Sequence, residues 1–386
     1  MRVMRAEPSR FADVTARSVG AVWRAYDLQL TTYAALLGAI GLVMAYTNSV
    51  EAGQSVLENG TVFSRALMWS GLAMVVFITV TVFDYRWLKT LRWLLYVTNV
   101  GLLLLTLAIG DGVGGSARWV QLGPVTFQFS ELAKIVMISV LAAYLGDRES
   151  RLDSLWPILG AGLLMVPPWV LVMMQPDLGT SLVLIAILAG MLFMSGASLK
   201  WLIAGALATV PAALIGWTYV LRDYQKERIL SFLNPVADSQ GSNWQVLQSQ
   251  IAVGSGGLLG TGLTNGSQGR GEFLPVQESD FVFAVLAQEL GFIGALVVFL
   301  LFAALIWRIL MSAWRSRDPF GTLFGAGLAS LILFQVFVNV GMVIGILPVT
   351  GIPLPFITHG GASLVSIAIG LGVMQSVNIR QHRAEW

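Results

Sequence analysis

Six ionisable side chains lie at or near the ends of long apolar stretches, where a buried charge is costly and is therefore a candidate for function. They are Arg118, Glu131, Lys134, Asp177, Asp280 and Glu289. A carboxylate in such a place is a candidate general base, and a cation can stabilise a negatively charged group. Since the six cluster on one side of the predicted membrane, they indicate one site there.

Two of these features have a structural interpretation as well. Glu131 and Lys134 are three residues apart, so on a helix they can pair. The pair would either let both residues enter the membrane or form the charged wall of a polar cavity. Asp177 stands where an N-capping aspartate would open a span, and the alternative is a role in the site.

Asp280 allows the same two interpretations. Ser279 and Asp280 are both good capping residues at the start of a span. On a continuous helix, Asp280, Ala284, Gln288 and Gly291 would share one face. That face is small and polar, which favours a cavity over contact with lipid.

Residues that the sequence lacks exclude several kinds of chemistry. With no cysteine and only two histidines, thiol catalysis and multi-histidine metal sites are excluded. No GxxxxGK[ST] string is present, which argues against an ATP-driven pump. No Ser-x-x-Lys string is present, so a penicillin-type serine acyltransferase is not encoded. The GxGxxG match at 110–115 follows an apolar span and opens no βαβ unit, so it is rejected.

The composition predicts that these residues are positioned by an all-α, polytopic membrane protein. Of 386 residues, 56% are hydrophobic and 11% charged, whereas soluble domains carry about 25% charged residues. A net charge of +2 gives no reason to expect a nucleic-acid partner. A span needs about 20 apolar residues, and ten segments qualify: 28–47, 66–83, 93–109, 132–146, 155–174, 180–197, 201–220, 281–307, 322–347 and 363–379.

The distribution of Lys and Arg predicts the orientation. Connections on the side of the N-terminus carry sixteen of these residues, against three in the short connections opposite. Both termini are therefore predicted to be cytoplasmic, with an N-terminal tail at 1–27 and one membrane domain at 28–380. The opposite side has the long loop at about 221–280, where we expect short amphipathic helices against the membrane surface.

Several strings of the sequence resemble one family, and together they are specific. They are residues 117–124 (ARWVQLGP), 127–134 (FQFSELAK), 175–180 (QPDLGT), 227–235 (ERILSFLNP), 248–258 (QSQIAVGSGGL), 279–284 (SDFVFA), 351–356 (GIPLPF) and 360–363 (GGAS). The chain resembles the SEDS family (shape, elongation, division and sporulation), which includes RodA and FtsW, from about residue 28 to 380.

The resemblance implies ten spans and a peptidoglycan glycosyltransferase that polymerises lipid II at the outer face of the bacterial cytoplasmic membrane. The essential aspartate of the family falls on Asp280. Its conserved cationic and acidic residues fall on Arg118, Glu131 and Lys134. Substrate-binding roles are expected for these three and also for the matching residues Asp177, Gln248 and Ser249. The expected protein partner is a class B penicillin-binding protein, which would supply the crosslinking serine missing here.

A mechanism follows from this resemblance. Asp280 would accept the proton of an attacking sugar hydroxyl, and a single displacement would invert the anomeric centre. Arg118, Lys134 or a divalent cation (Mg²⁺ or Mn²⁺) would neutralise the pyrophosphate leaving group. No organic cofactor is expected. Asp177 could hold either a helix end or a metal ion, and the sequence does not choose between the two.

Three alternatives stay open. The first is a flippase for lipid-linked precursors, although such a transporter should place its charges near the midplane at a repeat interface. The second is a scaffold without activity. The third is a division-type, FtsW-like polymerase, whereas the short N-terminal tail and Phe273-Leu274-Pro275 favour a RodA-like member for elongation and shape.

Overall fold

The computed structural model confirms a helical membrane protein. It describes residues 25–51, 58, 60–110, 118–122, 125–219, 221, 223–233, 242–265, 280–358 and 360–381. Most of the predicted N-terminal tail, part of the long loop and His359 lie outside these residues. Within them, nine helices are long and apolar enough to span a membrane, and a tenth apolar helix has 17 residues.

The ten apolar helices follow the predicted order. They are α1 (Leu28–Glu51), α2 (Val62–Val82), α4 (Arg92–Ile109), α5 (Phe129–Gly146), α6 (Leu155–Met174), α7 (Leu178–Met194), α8 (Leu199–Tyr219), α11 (Val282–Trp314), α12 (Pro319–Val343) and α13 (Gly361–Gln381). A short helix, α3 (Arg86–Thr90), precedes α4. The boundaries differ from prediction by several residues. The largest difference is at the end of α11, where a cytoplasmic-side turn was expected after residue 307.

Local capping explains several helix starts. Thr61 caps α2, because its side chain accepts a hydrogen bond from the Ser64 amide. Asp318 caps α12 by accepting from the Phe320 amide, and Pro319 follows at the first helical position, where its missing N–H costs nothing.

Three helices form the centre of the bundle. In their most apolar 18-residue windows, 72% of α5, 78% of α12 and 89% of α13 is buried, whereas the corresponding share of α8 is 0%. Close approach of backbones is possible because of small residues. A Cβ added to Gly327 of α12 would lie 2.9 Å from Ile138 and from Met191, so this glycine lets α12 pack between α5 and α7.

Since successive apolar helices alternate in direction, the connections fall on two faces. The long-loop face contains the connections α1–α2, α4–α5, α6–α7, α8–α11 and α12–α13, and the short-loop face contains the connections α2–α4, α5–α6, α7–α8 and α11–α12. On the short-loop face, Asp147 pairs with Lys89 at 3.2 Å and with Arg92. Burial by itself would raise the pKa of Asp147, but hydrogen bonds from Arg92 and Lys89 outweigh burial and hold the pKa below its usual value.

The long-loop face contains the predicted helices and one element that was not predicted. The long loop has helices α9 (Asp223–Leu233) and α10 (Ser242–Ser255). The loop before α5 contains an antiparallel hairpin of β1 (Val120–Leu122) and β2 (Val125–Phe127). Alternating apolar and polar residues around Gly-Pro are the signal that could have predicted this hairpin.

Helix α11 is broken near its start, which corrects the prediction of one continuous polar face from Asp280 to Gly291. The helix begins at Val282, and Gly291 has φ +67° and ψ −170°. A broken membrane helix is tolerated when neighbouring groups satisfy its free backbone atoms. The segment 256–264 does so through Thr261 N to Gln288 O, Gly262 N to Glu289 O, Phe292 N to Gly257 O and Ile293 N to Leu258 O.

Candidate functional site

Asp177 is the N-cap of α7, so the structural interpretation of this residue is confirmed. Its Oδ1 accepts from the Thr180 amide at 3.1 Å, and its Oδ2 accepts from the Thr180 hydroxyl at 2.8 Å. Gln128 Nε2 donates to the same Oδ2 at 2.8 Å, and the Ser130 hydroxyl lies 3.4 Å from it. The carboxylate therefore joins the starts of α5 and α7.

Arg118 lies directly before the hairpin and reaches the turn between α6 and α7. Its Nε donates to Gln175 O at 3.1 Å, and its Nη2 donates to Pro176 O. These carbonyls lie at the end of a helix, where backbone acceptors lack partners inside the helix. In this conformation the guanidinium therefore ties the hairpin to the α6–α7 turn.

Glu131 and Lys134 form a buried ion pair on the first turns of α5, as one of the two interpretations predicted. Lys134 Nζ lies 2.7 Å from each carboxylate oxygen of Glu131. Only 2% of Lys134 and 4% of Glu131 is exposed. Neutralising each other is what allows the two side chains to be buried at this depth.

Asp280 is half-buried immediately before α11, and of its two interpretations the capping one is wrong. The N-cap residue is Phe281, whose carbonyl accepts from the Ala284 amide at 2.9 Å. The Asp280 carboxylate instead lies against the last outer loop: a Cβ built on Gly351 would be 3.6 Å from Asp280 Oδ2. The aspartate thus has a position that capping does not explain.

The last outer loop connects Asp280 with the start of α7. A Cβ on Gly179, two residues after Asp177, would lie 2.8 Å from Thr350 O and 2.9 Å from Ile352. The neighbouring Gly351 approaches Asp280 from the same loop. Arg118, the Glu131–Lys134 pair, Asp177 and Asp280 therefore belong to neighbouring segments of the long-loop face, while a shared polar cavity stays a prediction.

Gln248 and Ser249 are both buried in α10, at 6% and 0% exposure. The Ser249 hydroxyl lies 2.8 Å from Val343 O at the end of α12 and 2.7 Å from Val246 O. The serine therefore has a packing role between α10 and α12. Binding of substrate by these two residues stays a prediction.

Two further polar residues contact the same region. Asn339 of α12, which the sequence analysis missed, donates to the backbone of Asp280 and of Ile352. The two amides inside the apolar run of α12, Gln335 and Asn339, were the available signal. Glu289, beside the break in α11, accepts from the Thr264 amide at 2.8 Å and is 1% exposed, so it holds the segment that fills the break.

The described residues do not fit a resident metal site. Among them, no three acidic or histidine side chains are close enough to hold a metal ion together. Asp177, the acidic candidate, uses its carboxylate to accept hydrogen bonds from α5 and α7.

Comparisons with known proteins agree on one family. Residues 27–383 match the family model FTSW_RODA_SPOVE, described as cell cycle protein. The peptidoglycan glycosyltransferase MrdB of Escherichia coli K12 is 41% identical over 286 residues, which cover 74% of this chain and 76% of MrdB.

Two solved structures have the same fold. A chain from a peptidoglycan synthase complex that coordinates polymerization and crosslinking gives a TM-score of 0.77 at 30% identity, covering 92% of this chain and 98% of that one. The crystal structure of the rod shape determining protein RodA of Thermus thermophilus gives 0.69 at 28% identity, covering 93% and 98%.

Proposed function

Because the chain belongs to the SEDS family of FtsW, RodA and SpoVE proteins, we propose that it is a peptidoglycan glycosyltransferase that polymerises lipid II into glycan strands. The single observation that carries the proposal is the placement of Asp280. It is a half-buried carboxylate immediately before the N-terminal end of α11 that does not cap the helix and lies against Gly351. The similarity to MrdB and RodA supports a role in elongation and shape.

The reaction needs one base and a good leaving group. A hydroxyl of the acceptor sugar attacks the anomeric carbon of the donor, and Asp280 accepts its proton. The bond from that carbon to the pyrophosphate oxygen breaks, and the lipid pyrophosphate leaves as an anion. Because that anion is stable, a second carboxylate acting as an acid is not required, in contrast to glycoside hydrolysis. One displacement inverts the anomeric centre.

Arg118 and Lys134 are the two cationic side chains of the site, and each is held by hydrogen bonds or an ion pair. Glu131 orients and neutralises Lys134 at 2.7 Å, and Arg118 supports the α6–α7 turn. Of the two, Arg118 supplies the positive charge that stabilises the pyrophosphate as the bond breaks, because Lys134 is buried and Glu131 balances its charge. Asp280 and Arg118 carry the displacement themselves, and in the part of the chain that the structure describes no acidic or histidine cluster forms a metal site.

The proposed location of the site rests on the distribution of Lys and Arg, and the proposed protein partner rests on the lack of a Ser-x-x-Lys string. The excess of Lys and Arg on the short-loop face supports a cytoplasmic location for that face, and with it a site at the outer face of the cytoplasmic membrane. Since the sequence has no Ser-x-x-Lys string, crosslinking is assigned to a class B penicillin-binding protein in the same complex. The bulk membrane lipids surround the exposed apolar helices.

The test is polymerisation of lipid II by the purified protein. Wild type and Asp280→Asn are compared at matched concentrations and with matched melting temperatures. Glycan strands from wild type and none from Asp280→Asn support the proposal. No glycan from folded wild type, or equal rates for the two proteins, contradicts it.

A lipid II flippase is the second candidate, and the broken helix α11 is the observation that favours it. Broken spans line the binding sites of many transporters. Translocation of fluorescent lipid II across proteoliposomes separates the two functions. A flippase would keep translocating with Asp280→Asn, whereas a polymerase would consume lipid II without moving it.

A further inference from the structure

Asn339 is a buried amide that contacts two segments of the site at once. It lies on α12 and is 0% exposed. Its Nδ2 donates to Asp280 O at 3.2 Å and to Ile352 O at 2.8 Å. The amide therefore connects α12, the residue before α11 and the last outer loop.

The direction of this amide follows from its partners. Both contacts are carbonyl oxygens, so the NH₂ group must face them, because an amide oxygen in its place would face two acceptors. Asn339 Oδ1 has no hydrogen-bond partner among the described residues. The side chain acts there as a donor with both of its N–H groups.

Both acceptors belong to the surroundings of the proposed base. One is the carbonyl of Asp280 itself, and the other belongs to Ile352, next to Gly351, where a built Cβ would lie 3.6 Å from the Asp280 carboxylate. A donor that holds both carbonyls sets the distance between the carboxylate and the loop that bounds it. We propose that Asn339 is a positioning residue that holds Asp280 in its reactive place. This inference rests on the proposed function.

The expected effect is on turnover. Asn339→Leu keeps the branched shape and the number of heavy atoms but removes both donors, so the hydrogen bonds that join Asp280 to the loop are lost. Misplacement by about 1 Å can cost a reaction about 10²-fold. We expect kcat for lipid II polymerisation to fall roughly 10- to 100-fold, with KM nearly unchanged because the substrate-binding groups are retained.

The matched control is Gln335→Leu. Gln335 lies one turn earlier on α12, is also 0% exposed, and neither of its polar atoms has a partner among the described residues. The variant Gln335→Leu therefore replaces a buried amide of α12 by leucine without removing a hydrogen bond to Asp280. If Asn339→Leu cannot be purified, Asn339→Ser keeps one donor and should show an intermediate loss of kcat.

Hydrogen exchange adds a readout that does not depend on activity. Amides of Ala284 and Thr358 donate to Phe281 O and Leu354 O, so they report on the start of α11 and on the loop. Positioning predicts faster exchange at both sites in the Asn339 variant and wild-type exchange in Gln335→Leu. Unchanged exchange, or equal kcat in the Asn339 and Gln335 variants, overturns the inference. If wild type makes no glycan, the proposed function fails. Hydrogen exchange then still tests whether Asn339 holds Asp280 and the last outer loop together.

Discussion

The starts of α7 and α11 each contain an aspartate, and the structure uses the two differently. Asp177 caps its helix and accepts hydrogen bonds from Gln128 and Ser130 at the start of α5. Asp280 precedes the capping residue of its helix and lies against a glycine of the outer loop. The comparison teaches that a carboxylate at a helix start serves stability when donors surround it, and that chemistry is better assigned where capping does not explain it.

The largest expected effect is that of Asp280→Asn. The amide keeps the size of the side chain but cannot act as a base. We expect activity to fall by roughly 10²–10⁴-fold with an unchanged melting temperature, because the cap of α11 is Phe281. The rate of lipid II polymerisation and thermal melting in detergent measure the two effects. If Asp280→Asn lowered the melting temperature as much as Asp177→Ala does, both aspartates would have a structural role.

A third helix start on the same face extends the comparison to the Glu131–Lys134 pair. Glu131→Leu leaves Lys134 buried without its partner, which costs about 3–5 kcal/mol of stability. The double change Glu131→Leu with Lys134→Met removes both charges and should recover most of that stability. Thermal melting tests this. If the double variant is stable but inactive, the pair has a role in the reaction beyond structure.

Asp177→Ala should affect stability more than rate. Losing the cap costs roughly 0.5–2 kcal/mol, and the freed donors of Gln128 and Ser130 add to this. We expect a lower melting temperature and, per folded molecule, activity within about tenfold of wild type. Loss of activity at an unchanged melting temperature would instead assign the base to Asp177.

Gly351→Ala tests the contact beside Asp280. Gly351 has φ +73°, and alanine there costs roughly 1–2 kcal/mol and adds a methyl group 3.6 Å from the carboxylate. Gly196→Ala is the control, since it has φ +77° and nothing within 4 Å of its Cβ. Both should lower the melting temperature similarly, and only Gly351→Ala should reduce kcat. Equal kcat values would remove the loop from the reactive geometry.

The smallest expected effect is that of a chelator on stability. No three acidic or histidine side chains of the described residues form a metal site, and Asp177 is engaged in hydrogen bonds. EDTA should therefore leave the melting temperature of the substrate-free protein unchanged. A clear decrease would reveal a structural metal and make Asp177 its first candidate ligand.

Hydropathy and charge were sufficient to predict the ten apolar helices and the face on which the ionisable residues lie. Both properties are local, because the membrane requires about 20 apolar residues in succession whatever their neighbours. The ion pair of Glu131 and Lys134 was also predictable, because its members are three residues apart on one helix.

The tertiary structure decided which carboxylate is a cap and which is not. Asp177 and Asp280 both stand at the start of an apolar helix, but their partners differ: Gln128 reaches Asp177 from 49 residues away, and Asn339 reaches the Asp280 backbone from 59 residues away. The break at Gly291 depends likewise on the segment 256–264, which supplies its hydrogen bonds. No local pattern contains these distant partners, so only the packing of the helices could assign them.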